Sequence, residues 1–411
     1  MANSETNPTT SRPLEWLNFF VADVQTGLGP FLAAYLAASG WNPGNVGYAL
    51  TFGGLVTVAF QTPAGAIIDA SRHKRFLLGL NLGILTCGAL LLMRPLTNAG
   101  VFTAQFLIGL SAAFLGPCIA AVTLGLVGTR RFDRQFGRNQ GFNSAGNVAT
   151  ALLIALISYK FGYRAIFATA ALFSIPSIIA LLSIDGDRID FAAARGISSV
   201  GKTTKAEGLR ALLQDNVLLF FLLAVFLFHL SNAAMLPELG EMLSQGRPKA
   251  AAPFMSACIV VTQLIIACSA AWIGKRAASN GRKPLLLTGF ALLPIRGTLY
   301  TLTHVPTALI AIQILDGVAN AIFVVVSILI IKDRTEGTGR FNLAAGALAT
   351  IVGTGAAFSN AAGGALIQRF GYSISFLGLA AIGFAAATLL YFAVPETLCD
   401  KQPNGTKTAN N

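Results

Sequence analysis

The chain has 411 residues, of which 54% are hydrophobic and 11% charged, and its formal charge is +12. A soluble domain carries about 25% charged residues, so this composition cannot clothe a water-facing surface, and an ordinary soluble enzyme is excluded. The excess of Lys and Arg reads as topological, because cytoplasmic loops of membrane proteins collect these residues; no nucleic-acid partner is expected.

The first 13 residues are polar, and the apolar stretch after them carries Asp23 and Gln25 and lacks a small-residue cleavage site. It reads as an uncleaved first helix and not as a signal peptide. A helix needs about 20 apolar residues to cross the hydrocarbon core. Such runs fall at 15–37, 46–68, 76–95, 100–126, 141–159 and 165–184. After a polar stretch they resume at 216–236, 252–273, 284–302, 307–331, 343–366 and 375–394. The expected fold is an all-α membrane protein of 12 transmembrane helices in two pseudo-symmetric six-helix bundles. The bundles are residues 1–184 and 215–395, joined by a cytoplasmic linker at 185–214 and followed by a cytoplasmic tail at 396–411.

With the N-terminus inside, the inner segments hold 22 Lys and Arg and the outer loops six: Arg94, Lys160, Arg164, Arg247, Lys249 and Arg369. That bias puts both termini in the cytoplasm. Arg296 alone lies within a span. The two halves repeat. Phe161-Gly162-Tyr163 recurs 209 residues on as Phe370-Gly371-Tyr372, and Gly65 recurs at the same offset as Gly274. QFLIG at 105–109 answers QILDG at 313–317. Duplicated bundles about a pseudo-twofold axis would produce this pattern.

The five cysteines, Cys87, Cys118, Cys258, Cys268 and Cys399, show no CxxC spacing. A disulfide framework or a metal site is not expected. No nucleotide loop or nucleophile with a base is present, so neither catalysis nor a cofactor is expected.

The loop after the second span reads Gly65-Ala-Ile-Ile-Asp69-Ala-Ser-Arg72-His73-Lys74-Arg75. A partial copy, Gly274-Lys-Arg-Ala-Ala278-Ser-Asn-Gly281-Arg282-Lys283, follows the eighth span. Together they resemble the paired loop signature of the major facilitator superfamily, Gly-x-x-x-Asp-x-x-Gly-Arg/Lys-Arg/Lys. The first copy lacks the second glycine, and the second copy lacks the acid. The segment 332–342 resembles a loop of a bacterial exporter-like branch, and Pro395-Glu396-Thr397 resembles an ending common in the superfamily. Two departures stand out. Gln105 replaces the proton-linked arginine of many members, and the fifth-helix signature of drug–proton antiporters is missing.

The resemblance implies alternating access around a cavity lined by the first, fourth, seventh and tenth spans. The tenth span presents Gln313, Asp316, Asn320 and Ser327 near one helical face. Asp316 suits a protonatable carboxylate, a substrate ligand, or an ion-pair partner for Arg296. Asp23, beside Gln25 and Thr26, has no cation nearby in sequence and suits a proton carrier or a hydrated inner-mouth residue. Asn232 mirrors Asp23 at the 209 offset, and His229 three residues earlier could relay protons or make one structural hydrogen bond. Gln105 is a substrate-binding or packing residue. Asn143 and Asn147 read as interhelical packing. By the resemblance Asp69 belongs to a gate, approaching the start of the eleventh span and the Arg130/Arg131/Arg134 cluster.

The expected function is proton-coupled efflux of a small organic solute by a monomer in the inner membrane. Its expected partners are the lipid bilayer, the solute and protons. A metabolite symporter and a non-transporting sensor are the alternatives.

Overall fold

The computed structural model describes residues 12–26, 28–194, 214–335 and 341–398, and every regular element among them is helical. The N-terminal part holds α1 (Arg12–Thr26), α2 (Leu28–Ala38), α3 (Pro43–Ala70), α4 (Lys74–Leu92) and α5 (Asn98–Val127). It continues through α6 (Thr129–Phe161), α7 (Arg164–Leu182) and a short α8 (Phe191–Ala194). The C-terminal part holds α9 (Asn216–Asn232), α10 (Met235–Gly246), α11 (Pro248–Asn280) and α12 (Lys283–Leu302). It closes with α13 (Pro306–Thr335), α14 (Phe341–Phe370) and α15 (Tyr372–Ala393). Ten stretches among the described residues are long and apolar enough to cross a membrane.

The structure redraws several expected boundaries. α1 ends at Thr26 and α2 starts at Leu28, and residue 27 between them lies outside the described residues. The seventh span is broken between Asn232 and Met235 and continues ten residues beyond its expected end at 236, to Gly246. The interruption begins at Ala233, four residues before Pro237. A proline lacks the N–H that would bond the carbonyl at i−4, and its ring collides with that carbonyl. Residues 129–139, expected as a loop, form the first turns of α6. The segments 195–213 and 336–340 and the tail beyond 398, with Cys399, lie outside the described residues.

Each part has its own core. One apolar cluster is drawn from residues 218–394 and includes Phe221, Phe228, Phe290 and Ile322. Two others come from the N-terminal part, around Leu17, Leu78 and Leu115 and around Leu32, Leu50 and Phe167. A fourth joins the parts, setting Phe31, Ile154 and Ile166 against Met235, Leu239, Met255 and Phe376.

That shared cluster lies at the end of the molecule formed by the turns after α2, α6, α10 and α14, called here the far end. There α3 and α14 cross through small residues. A Cβ on Gly47 would strike the Asn360 carbonyl, and one on Gly364 would strike the Pro43 carbonyl and the Gly47 backbone. Thr51 Oγ1 donates to the Ala357 carbonyl at 2.8 Å. Small residues let two backbones approach this closely within a membrane. Toward the other end, where the linker emerges, the helices part. Gly65 and Gly346 have open space before them, and Thr62, Ala66, Ile67, Ala349 and Thr350 are exposed. The molecule is closed at the far end and open at the linker end. Gly364→Leu should pry the far end apart. Amide hydrogen exchange in α2 and α10 should then accelerate, and unchanged exchange would show that the close crossing does not hold that end shut.

Candidate functional site

The start of α2 and the α9–α10 break meet at a cavity of about 290 Å³. Gly29 and Pro30 reach it from α2, and Ala233 and Pro237 from the α9–α10 break. Leu50, Gly53, Gly54 and Thr57 of α3, Gln105 and Gly109 of α5, and Asn360 of α14 also line it. Among the described residues no charged side chain lines it. Gln105 Nε2 donates to the Ala49 carbonyl at 3.0 Å, which fixes the amide at the wall. Thr57 Oγ1 donates into the Gly53 and Gly109 carbonyls at 3.1 and 3.0 Å. Asn360 Nδ2 donates to the Ala356 carbonyl, while its buried Oδ1 has no partner among the described residues. An unused acceptor in a wall of satisfied groups is available to a solute donor. The sequence reading did not single out Asn360; the signal is a lone amide among the Gly, Ala, Ser, Thr and Phe of residues 353–364.

Of the expected cavity residues, Gln105 lines this space. Gln313, Asp316, Asn320 and Asn232 gather instead inside the C-terminal part. Arg296, 2% exposed, pairs through Nη1 with Asp316 Oδ1. Its Nη2 donates to the Asn232 side-chain carbonyl at 2.5 Å and to the Asn232 backbone carbonyl at 3.4 Å. Asp316 also accepts from Thr262 Oγ1 at 3.2 Å and from Asn320 Nδ2 at 3.0 Å. Gln313 Nε2 donates to the Tyr300 hydroxyl at 2.8 Å. The guanidinium therefore sits at the carboxyl end of α9, where the last carbonyls lack helical partners and the helix dipole favours a cation. It ties the break to α13.

His229 is buried, edge-on to Phe323 at 4.6 Å, and its Nε2 has no partner among the described residues. The side chains of Asp23, Gln25 and Thr26 lie outside the described residues. Asn143 Nδ2 reaches the Asn18 carbonyl at 3.4 Å, linking α6 to α1.

Two acids within the seventh apolar stretch were missed, because the expected span stopped at 236. Glu238 and Glu241 are 2% and 3% exposed, one turn apart on α10. Glu238 Oε1 accepts from Ser375 Oγ at 2.9 Å and lies over Gly363, where a side chain would collide with it. The Oε2 atoms of both acids have no hydrogen-bond partner among the described residues, and Tyr372 lies close to both carboxyls. No salt bridge reaches either acid among the described residues.

At the linker end the two signature loops do different work. Lys74 of the first signature loop is 1% exposed. Its Nζ donates to the Ile68 carbonyl at 2.6 Å and the Ser71 carbonyl at 3.1 Å, closing the end of α3. Arg75 Nη1 donates to the Ile184 carbonyl at 2.6 Å, and Arg72 lies over the Phe191 ring. The side chains of Asp69, Arg130 and Arg134 lie outside the described residues.

In the second copy Gly281 takes φ +97°, a conformation natural to glycine, and a Cβ there would meet the Glu396 carboxyl. Arg282 pairs with Asp333 at 3.1 Å, and Arg282 Nη1 donates to the Ala277 carbonyl. Lys283 Nζ donates to the Tyr391 carbonyl at 2.7 Å. Partial burial raises the Glu396 pKa, but the backbone N–H groups of Arg282, Leu398, Lys283 and Thr397 outweigh it and hold the carboxyl below its ordinary range. The glycine of each copy that precedes the loop, Gly65 and Gly274, lies within a helix. A second missed network joins α1, α5 and α6 at this end. Buried Glu15 pairs with Arg138 at 2.9 Å, and Gln135 Nε2 donates to Asn139 Oδ1 at 2.9 Å.

A cavity between the N-terminal and C-terminal parts, closed at one end and open at the other, is the geometry of a carrier. Comparison with known proteins agrees. The family model described as Major Facilitator Superfamily matches residues 16–293 and 224–409. Two Mycobacterium tuberculosis proteins, the uncharacterized MFS-type transporters MT2531 (strain CDC 1551 / Oshkosh) and Rv2456c (strain ATCC 25618 / H37Rv), are each 37% identical over 394 residues. The match spans 95% of this chain and 94% of each relative. Among solved structures, a variant of the nucleoside transporter NupG superposes with a TM-score of 0.78 at 13% identity, covering 93% of this chain and 99% of that one. A peptide transporter POT variant in complex with alafosfalin gives 0.75 at 13% identity, covering 96% and 95%. The chain belongs to the Major Facilitator Superfamily and is a multi-pass membrane transporter, not an enzyme.

Proposed function

We propose that this transporter exports a small polar organic solute in exchange for protons, by alternating access. It works as a monomer of twelve spans in two six-helix bundles, in the inner membrane with both termini cytoplasmic. One observation carries the reading: the cavity between the two parts is closed at the far end while the helices part toward the linker end. In the proposed orientation this is the inward-facing state. The uncharged lining suits a neutral or zwitterionic solute, with Gln105, Thr57 and Asn360 as its polar contacts. Export rests on the resemblance of segment 332–342 to exporter loops. Proton coupling rests on intramembrane acids: Asp23 and Asp316 from the sequence, with His229 as a relay, and the buried Glu238 and Glu241 from the structure.

Two experiments test this. Cysteines placed at Asn98 and Ser279 should label from opposite sides of intact cells, and same-side labelling would overturn the topology. In proteoliposomes loaded with a pH-sensitive dye, a panel of neutral and zwitterionic solutes should include one that drives protein-dependent proton movement opposite to its own gradient. Protein-dependent solute flux with no proton movement would remove the coupling.

A further inference from the structure

Of the six Lys and Arg that the proposed topology leaves outside, four crowd two short segments: Lys160 and Arg164, and Arg247 and Lys249. The positive-inside bias runs against cations at this end, so their concentration there calls for a physical reason. The segments converge. A pocket of about 220 Å³ at the far end is lined by Ser158, Tyr159, Lys160 and Tyr163 of the N-terminal part and by Lys249 and Ala252 of the C-terminal part. Lys160, Arg164, Arg247 and Lys249 make no salt bridge among the described residues. The wall holds Ser158, 6% exposed, whose buried Oγ has no partner among the described residues. A serine in a helix ordinarily satisfies itself on the carbonyl four residues back, as Ser174 and Ser177 do. Ser158 leaves a hydroxyl toward the pocket. α11 begins at Pro248 beside it, and within its first turn the Ala250 N–H donates back to the Arg247 carbonyl at 2.9 Å.

The surroundings set the depth. Tyr159 and Phe161 are 66% and 74% exposed, and Tyr163 stacks on Tyr35 at 5.8 Å. Exposed aromatic rings flanking an apolar helix mark the headgroup level of a bilayer. Two ammonium groups, a spare hydroxyl and a helix start at that level suit one anionic phosphate.

We propose that this pocket binds the phosphate of an anionic membrane lipid. The pocket is shared by the two parts and lies beside the apolar cluster that joins them, so it forms only while the far end is shut. A bound headgroup would hold the far end closed, and opening that end would release it. The composition of the surrounding leaflet would then set the balance between the two states. The inference stands on the pocket and does not depend on solute or coupling ion.

The test uses the full-length protein in neutral detergent, with phosphatidylglycerol, phosphatidylcholine and inorganic phosphate added in separate arms. Bound lipid is read by native mass spectrometry and stability by thermal unfolding. Phosphatidylglycerol should bind and raise the unfolding temperature, and phosphatidylcholine should do neither. The Lys160→Gln/Lys249→Gln variant should lose binding by roughly tenfold or more, from about 1 kcal/mol for each lysine near an anionic surface. Lys160→Arg/Lys249→Arg, which keeps the charge, should retain it. Arg369→Gln, a far-end cation outside the pocket, should bind as the parent does. Equal phosphatidylglycerol binding by the parent and the Gln variant overturns the proposal. So does stabilisation by millimolar inorganic phosphate without any by phosphatidylglycerol, which would assign the pocket to a free phosphate. If the Gln double variant does not fold, the single Lys249→Gln variant carries the same reading with a smaller loss.

Discussion

Arg296→Ala should remove a large share of the stability margin of the C-terminal part. Three features set the size of the effect. The guanidinium is almost wholly buried, and the Asp316 carboxylate it pairs with is buried as well. Removing one member of such a pair leaves the other charge uncompensated, at a cost of about 3–5 kcal/mol, against a total stability on the order of 5–15 kcal/mol. Thr262 and Asn320 still donate to Asp316, but neither supplies charge. The substitution also strips the cation from the end of α9, freeing the Asn232 carbonyl that Nη2 holds at the break. Arg296→Lys should rescue only in part, because one ammonium cannot serve both the carboxylate and the Asn232 amide as a planar fork does. Adding Asp316→Ala to Arg296→Ala should restore part of the loss, since the orphaned charge goes with it. The coupling should be about 0.5–3 kcal/mol. Thermal unfolding of the purified variants measures all of this, and strictly additive losses would show that the two residues act independently.

How far the sequence spoke depended on which signal each feature needed. Hydropathy located the apolar runs, because a 20-residue stretch must be apolar wherever it crosses lipid. Motif spacing placed both signature loops at helix ends. Hydropathy could not see what interrupts a helix. Pro237 was in plain view, yet Pro63, Pro117, Pro176 and Pro294 sit inside helices that continue. Neighbouring helices decide whether a membrane proline breaks its helix. The seventh span was expected to end at 236, and Glu238 and Glu241 beyond it lower the hydropathy of the stretch. Their burial depends on Gly363 and Ser375, more than 120 residues away. The tenth-span face was legible as a polar stripe at helical spacing, but spacing does not say which way a stripe turns. Thr262 and Arg296 draw it into the C-terminal part. Lys74 looked like one more basic loop residue, and only the fold shows it closing α3.

Replacing both Glu238 and Glu241 with Gln should leave solute exchange intact and abolish its accumulation by a pH gradient. The two carboxyls lie one turn apart on α10, buried at the closed end, with no cation on either among the described residues. Two like charges cannot be held together in such a place without a partner, so a proton shared by the pair is the simplest way to close that end. When α2 and α10 separate, water reaches the pair and the proton can leave to that side. Closing the end would then require a proton, and opening it would release one, which is what coupling demands of a carrier. Gln keeps the shape and the hydrogen bond from Ser375 but cannot ionise, so the variant should cycle without taking up or releasing protons. Its unfolding temperature should match or exceed that of the parent, because no buried acid remains to be kept neutral. Counterflow in proteoliposomes, with the solute identified in the dye assay, measures exchange, and a pH jump measures accumulation. Asp23→Asn serves as the parallel arm. If the Gln pair retains full pH-driven accumulation while Asp23→Asn loses it, the proton travels on α1 and the α10 acids only shape the closed end.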